Sequence, residues 1–230
     1  MYNISNDPRC LKTCTLIYEA LIELLEENDM VLESITISDI AKRSSVGRAT
    51  FYRHFDSTLD VLRWASNSAV EDSVDAMLLS ANNYQLFCYN FYAYWTQNAQ
   101  LLDVLVRINR PNIFLVSLER FLTHHQEDIF GTVVESPTPG KSKQRKVKPE
   151  DRESAIMEDY LIGIWAAINW AILKKWVLRG KKERDWELTD LALRTLPVPP
   201  NNDSSKSQSA DAYRYARAMA AAASNKAKQD

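Results

Sequence analysis

Residues 35–62 read ITISDIAKRSSVGRATFYRHFDSTLDVL, and the order of polar and apolar residues in this stretch decides the fold. Thr36 can cap a helix, and Asp39, three residues later, can reach back to it as a capping box. The run Ser44–Gly47 breaks this helix after about two turns, and a second short helix follows from Arg48 to Phe55. Two short helices joined by a tight turn predict a helix-turn-helix, here at about residues 36–55.

Longer helices are predicted on both sides of this motif. Asp7 and Pro8 provide a cap and a first helical residue for a helix that ends near Glu27. Ser57 and Asp60 form another capping pair, at the start of a helix that runs to about Ser80. The sequence therefore predicts an N-terminal three-helix domain over residues 1–62.

The rest of the chain is also predicted to be helical. An aromatic segment over 84–95 is followed by a helix at 112–130 that Gly131 can end, a loop at 136–150, and helices at 151–179 and 186–196. Because no segment has the alternation typical of strands, the predicted fold class is all-α. Residues 63–196 are expected to form a helical domain, and residues 197–230 a polar linker with an alanine-rich tail.

Composition excludes several classes of protein. The chain has 230 residues, of which 46% are hydrophobic, so it can bury a core. Its 3 cysteines are too few for a disulfide framework, which favours a cytoplasmic protein. The longest apolar run, Leu161–Leu173, is short for a membrane span. No nucleophile–base–acid set, phosphate loop or metal-ligand spacing is present, so neither catalysis, a cofactor nor a metal is expected.

One pair of cysteines and one pair of histidines do not change the expectation that the chain binds no metal. Cys10 and Cys14 lie one helical turn apart and are interpreted as small core residues. His124 and His125 are adjacent and point in different directions on a helix, so they are interpreted as surface residues.

The local charge of the motif is the first test of DNA binding, because the whole chain has a net charge of −2. Between residues 36 and 55 there is one acid, Asp39, against four bases: Lys42, Arg43, Arg48 and Arg53. The motif is therefore basic although the chain is not, as expected of a nucleic-acid-binding segment.

The same stretch resembles the DNA-binding signature of the tetracycline-repressor (TetR) family. The resemblance is carried by Asp39-Ile40-Ala41, by the turn ending in Val46, and by Thr50-Phe51-Tyr52-Arg53-His54-Phe55. It covers residues 8–64, whereas the remainder is similar only in its all-helical plan. The resemblance implies a transcriptional regulator that binds operator DNA as a homodimer, most often a repressor that a small ligand releases.

Three features depart from the family pattern. Members often have glycine where this chain has Ser45, and a left-handed backbone there would cost serine about 1 kcal/mol. Members often cap the second helix with serine or threonine, where this chain has Gly47, a weaker cap. Residues 1–9 contain only one basic residue, Arg9, where many members have a basic arm.

The resemblance also implies roles for individual residues. Arg48 and Ala49 occupy the base-reading positions, where arginine can bind guanine and alanine a thymine methyl group. The remaining residues correspond to backbone contacts or to helix N-termini that suit a phosphate. The full predicted set is Thr36, Gly47, Arg48, Ala49, Thr50, Tyr52, Arg53 and His54. The alternative for Tyr52 is a solvated side chain, and for His54 a capping histidine.

The second domain is predicted to bind a ligand and a second subunit. Aromatic density usually indicates core, but it can also line an apolar ligand pocket, here with Phe87, Phe91, Tyr92, Trp95 and Trp165. The helix at 151–179 is apolar nearly all round, and with 186–196 it is expected to form a four-helix dimer interface. The alternatives are a monomer with this helix at its centre, and an interaction protein that has lost operator binding.

Overall fold

The computed structural model describes residues 7–78, 84–125 and 149–195. Within these ranges the chain forms α-helices and one 3-10 helix, Leu32–Ser34, with no strand, so the all-α prediction is confirmed. The α-helices are α1 (Pro8–Glu27), α2 (Ile37–Arg43), α3 (Arg48–His54), α4 (Thr58–Leu78), α5 (Tyr84–Gln97), α6 (Gln100–Arg107), α7 (Asn112–His124), α8 (Pro149–Leu178) and α9 (Asp185–Thr195).

The predicted capping signals start the N-terminal helices. The Asp7 side chain accepts a hydrogen bond of 2.8 Å from the backbone N–H of Arg9 at the start of α1. At α2, the backbone N–H of Asp39 donates to the Thr36 hydroxyl at 3.2 Å, and the backbone N–H of Thr36 donates to the Asp39 carboxylate at 3.0 Å. These bonds satisfy N–H groups that the first turn of a helix leaves without partners.

Two boundaries differ from the sequence-based expectations. A separate helix, α6, follows a break at residues 98–99 that the apolar pattern did not reveal. At this break the Asn98 side-chain amide donates to the Tyr94 carbonyl at 2.9 Å, a bond that competes with continuation of the helix. Helix α8 begins at Pro149, inside the predicted loop, because proline is tolerated in a first turn. Gly131, residues 136–148 and the tail at 197–230 lie outside the described residues.

The chain divides into two compact units. The first comprises Met1–Glu71 with Ala99–Ser117, and the second Asp72–Asn98 with Leu118–Asp230. The predicted functional domains, 1–62 and 63–196, stay a prediction. In the first unit α1, α2 and α3 pack around a core that includes Ile17, Leu21, Leu25, Ile40, Phe51 and Phe55. In the second unit α9 packs on α5 and α8.

Helix α8 contains one segment, Asp159–Leu178, that is long and apolar enough to cross a membrane by length and composition alone. The shorter apolar run Leu161–Leu173 noted in the sequence lies within this segment. Buried core helices of soluble proteins pass the same test, and Trp165, Trp170 and Leu173 of this segment are buried within the second unit.

Candidate DNA-binding surface

The turn between α2 and α3 is closed by hydrogen bonds back to α2. The Ser44 hydroxyl donates to the Ile40 carbonyl at 2.7 Å, and the Val46 N–H donates to the Ala41 carbonyl at 3.1 Å. Ser45 has a φ of 55°, so the left-handed conformation expected at this position is present without glycine. The turn thereby satisfies the last carbonyls of α2 while reversing the chain.

Helix α3 has one buried face and one exposed face. Phe51 is fully buried, as is Phe55 directly after the helix, and their ring centroids lie 5.8 Å apart. The exposed positions are Arg48, Ala49, Tyr52 and Arg53, while Thr50 is half-buried. Since the Tyr52 side chain is 51% exposed, its ring is accessible to a large partner. Six of the predicted contact residues, these five and His54, thus lie on one short helix held in place by its aromatic side.

The N-terminus of α3 is open. Gly47 caps it with extended backbone and no side-chain hydrogen bond, as expected of glycine. A Cβ atom at Gly47 would meet no neighbouring atom within 4 Å. The first backbone N–H groups of α3 are therefore not covered by a capping side chain.

One of the four basic residues of the motif is bound within the protein. The Arg43 guanidinium donates to Glu27 at 2.9 and 2.7 Å and to Glu23 at 3.0 Å, so α1 supplies two carboxylates for one base of α2. The hydrogen bonds from Arg43 lower the pKa of Glu27. The basic charge that the motif presents outward therefore comes from Lys42, Arg48 and Arg53, and is smaller than the sequence count suggested.

Thr36 is exposed, but its polar groups already have partners. Its hydroxyl donates to the Asp39 carboxylate at 2.6 Å, and its N–H donates to the same oxygen. The hydroxyl bond, followed by the backbone bond, lowers the pKa of Asp39, which keeps a negative charge at the start of α2. The predicted phosphate contact of Thr36 stays a prediction, and it would have to form beside this carboxylate.

His54 differs from the other predicted contact residues because it faces the interior. Its side chain is 8% exposed, and its Nδ1 atom lies 3.5 Å from the Cys10 Sγ atom of α1. Burial, followed by the charge of Arg53, lowers the pKa of His54 and favours the neutral imidazole. With Cys14, these side chains bring three donor atoms within 4.8 Å of one another. The predicted DNA contact of His54 stays a prediction.

The family comparison agrees with this geometry. The family model described as "Bacterial regulatory proteins, tetR family" matches residues 17–63, which include α2, the turn and α3. The chain carries a TetR-family DNA-binding domain at residues 17–63. It is therefore a DNA-binding transcriptional regulator, from a family whose members bind operator DNA and typically form dimers. The search of curated proteins returned no match.

In the second unit, the five predicted ligand residues come together as one cluster. Phe87, Phe91, Tyr92, Trp95 and Trp165 are all buried. The Trp165 ring centroid lies 5.7 Å from Phe87 and 5.4 Å from Phe91. The Tyr92 hydroxyl donates to the Asn169 side-chain oxygen at 2.6 Å, and the Asn169 amide donates to the Trp165 carbonyl at 2.8 Å. The cluster is thus a packed core that contains a buried polar pair.

The second unit also has a groove that the sequence did not reveal. It lies between α8 and α9 in the second unit and has a volume of about 600 Å³. Residues lining it include Ile168, Ala171, Ile172, Trp176, Leu188 and Leu191. On α8, the side chains of Tyr160 and Ile164 are 69% and 44% exposed. Only the packing of α9 beside α8 creates this groove, so no single stretch of sequence could have indicated it.

Proposed function

We propose that this TetR-family regulator is a homodimeric repressor that α3 holds on operator DNA and that a small, largely apolar ligand releases. The observation that carries the proposal is the two-sided character of α3. Arg48, Ala49, Tyr52 and Arg53 are exposed on a helix whose other side is anchored by the fully buried Phe51. A recognition helix needs such an anchor, because base contacts require a fixed position in the major groove.

In this proposal some side chains of α3 contact bases and others contact the phosphate backbone. Arg48 donates two hydrogen bonds to a guanine edge, and Ala49 contacts a thymine methyl group. Thr50, Tyr52 and Arg53 contact the phosphate backbone and set the register of the helix. The uncovered N–H groups after Gly47 suit a phosphate for the same reason that other helix N-termini do.

The proposed dimer interface is the outer face of α8 and α9. Tyr160, Ile164, Ala167 and Ala171 are exposed at helical spacing on α8, and Leu191 is exposed on α9. An exposed apolar stripe of this length is typical of a surface that another protein chain buries. Its small side chains let a second helix approach closely. Trp165 and Ala166, which also belong to α8, are buried within the single chain and so lie outside this face.

The proposed ligand site is the aromatic cluster between α5 and α8. An apolar ligand would replace ring-to-ring contacts there, and the Tyr92–Asn169 pair offers one polar anchor to orient it. Because α8 also carries the proposed dimer face, a ligand that shifts α8 would change the separation of the two recognition helices. Operator binding requires that separation to be about 34–36 Å.

A gel-shift assay on DNA flanking the protein's own gene tests the proposal. Arg48→Ala is expected to weaken binding by about 1–3 kcal/mol, since one bidentate base contact is lost. Lys182→Ala is the matched control, because Lys182 is an exposed base after α8, outside the matched domain. Equal binding by the parent and Arg48→Ala would remove the base-contact assignment.

A further inference from the structure

Cys10, Cys14 and His54 bring three possible metal-ligand atoms together in the first unit. Cys10 and Cys14 lie one turn apart on α1, and His54 is the last residue of α3. Cys14 is fully buried, Cys10 is half-buried and His54 is 8% exposed. The Sγ and Nδ1 atoms of the three side chains all lie within 4.8 Å of one another.

The separations match those of a metal coordination shell. A tetrahedral zinc ion with Zn–S of about 2.3 Å and Zn–N of about 2.05 Å sets its sulfur and nitrogen ligands about 3.6 Å apart. The Cys10 Sγ and His54 Nδ1 atoms are 3.5 Å apart. The two other separations are at most 4.8 Å, so a contraction of no more than about 1.2 Å lets a common ion reach all three atoms.

We propose that Cys10, Cys14 and His54 bind a thiophilic metal ion, Zn²⁺, with a water molecule from the Cys10 side as the fourth ligand. Two thiolates and a neutral imidazole suit Zn²⁺ and Cu⁺, the two ions that soft protein ligands select. Zn²⁺ with two thiolates is electrically neutral, whereas Cu⁺ leaves one negative charge. Burial of a net charge is costly, so this mostly buried site favours Zn²⁺.

Binding is an exchange of protons for the ion, without oxidation or reduction. Two S–H bonds break, two Zn–S bonds and one Zn–N bond form, and both protons go to solvent. The ion would tie the first turns of α1 to the last residue of α3, in addition to the hydrophobic core between them. The alternative is an ordinary hydrogen bond between Cys10 and His54, with no affinity for metal.

Titration of the reduced full-length protein with Co²⁺, a spectroscopic substitute for Zn²⁺, separates these cases. The site predicts one equivalent of Co²⁺ per chain with thiolate-to-cobalt charge-transfer absorption, which Zn²⁺ abolishes by displacement. Cys10→Ser and Cys14→Ser are each expected to lose this absorption. Cys88→Ser is the matched control, because Cys88 is a buried cysteine of the second unit and its variant should bind like the parent.

Cys14 is fully buried, so its variant could fail to fold. The half-buried Cys10 and X-ray absorption of the zinc-loaded parent keep the test intact, since the site requires two sulfur ligands and one nitrogen ligand. Circular dichroism checks that each variant is folded. Co²⁺ binding that survives Cys10→Ser, binding that Cys88→Ser removes, or binding of Cu⁺ alone would each overturn the assignment.

Discussion

Arg43 of α2 and Glu27 of α1 form a bidentate ion pair, with guanidinium-to-carboxylate distances of 2.9 and 2.7 Å. Glu23 adds a third hydrogen bond from the preceding turn of α1. A planar guanidinium that is shared between two carboxylates is held more firmly than an isolated surface pair. Arg43 therefore positions α2 against α1, and the acidic surface of α1 has a structural role.

Replacement of Arg43 by alanine should lower the melting temperature and leave base preference unchanged. This decrease in melting temperature should become smaller as the salt concentration is raised, because the Arg43 and glutamate side chains are exposed and salt screens their attraction. Thermal melts of the parent and Arg43→Ala at low and high salt measure the effect, with Lys12→Ala as an exposed basic control on α1. A changed operator preference in Arg43→Ala would instead make Arg43 a DNA contact.

The capping box at α2 should make stability depend on pH in the acid range. Hydrogen bonds from Thr36 lower the pKa of Asp39 below its usual 3.8 in the folded state. The stabilisation that the ionised Asp39 carboxylate contributes is therefore complete above about pH 3.8. It is lost as the pH falls through the lowered pKa of the folded state. The melting-temperature difference between the parent and Asp39→Asn should be constant near neutral pH and shrink in acid. A difference that grows in acid would contradict this linkage.

The Tyr92–Asn169 hydrogen bond should stabilise the second unit. Tyr92→Phe removes the donor and leaves the fully buried Asn169 oxygen without it, at a cost of about 1–3 kcal/mol. Tyr52→Phe is the control for unfolding, because the Tyr52 side chain is 51% exposed and lies outside the proposed dimer face, so the change should be nearly neutral for stability. Denaturant unfolding compares the two variants. Equal midpoints would mean that water replaces the lost hydroxyl and that the cluster is less tightly packed.

The proposed dimer face predicts a charge-sensitive position on α8. Ile164→Asp places a carboxylate in the middle of the exposed apolar stripe, so it should dissociate the dimer. Val116→Asp changes an equally apolar residue of α7 that is also exposed, and it should leave the assembly intact. Sedimentation of both variants measures the outcome. A dimer that tolerates Ile164→Asp would exclude this face.

Local signals in the sequence predicted local structure well. The bounds of α1 and the capping box at Thr36 each depend on a few neighbouring residues, so the sequence was sufficient for them. The left-handed backbone at Ser45 was expected only from the family resemblance. The Arg43–Glu27 pair and the approach of His54 to Cys10 join residues 16 and 44 positions apart. No periodic pattern records such distances, which is why the basic charge of the motif was overestimated and the Cys–Cys–His group was missed.

The aromatic cluster was predicted only in part. Its residues could be named from composition, because aromatic density predicts burial. The hydrogen bond between Tyr92 and Asn169 could not be predicted from composition, because it requires α5 and α8 to pack side by side. The groove between α8 and α9 was missed for the same reason: a helix that is apolar all round gives no indication of which face its own chain covers.

The mass of the complex with DNA tests the central claim most directly. Sedimentation of the protein with a duplex from the region flanking its own gene should give the mass of the duplex plus two 26.4 kDa chains. Two copies are expected because operator half-sites repeat with the two-fold symmetry of the dimer. A complex with one chain, or free duplex at micromolar protein, would contradict a homodimeric operator-binding regulator.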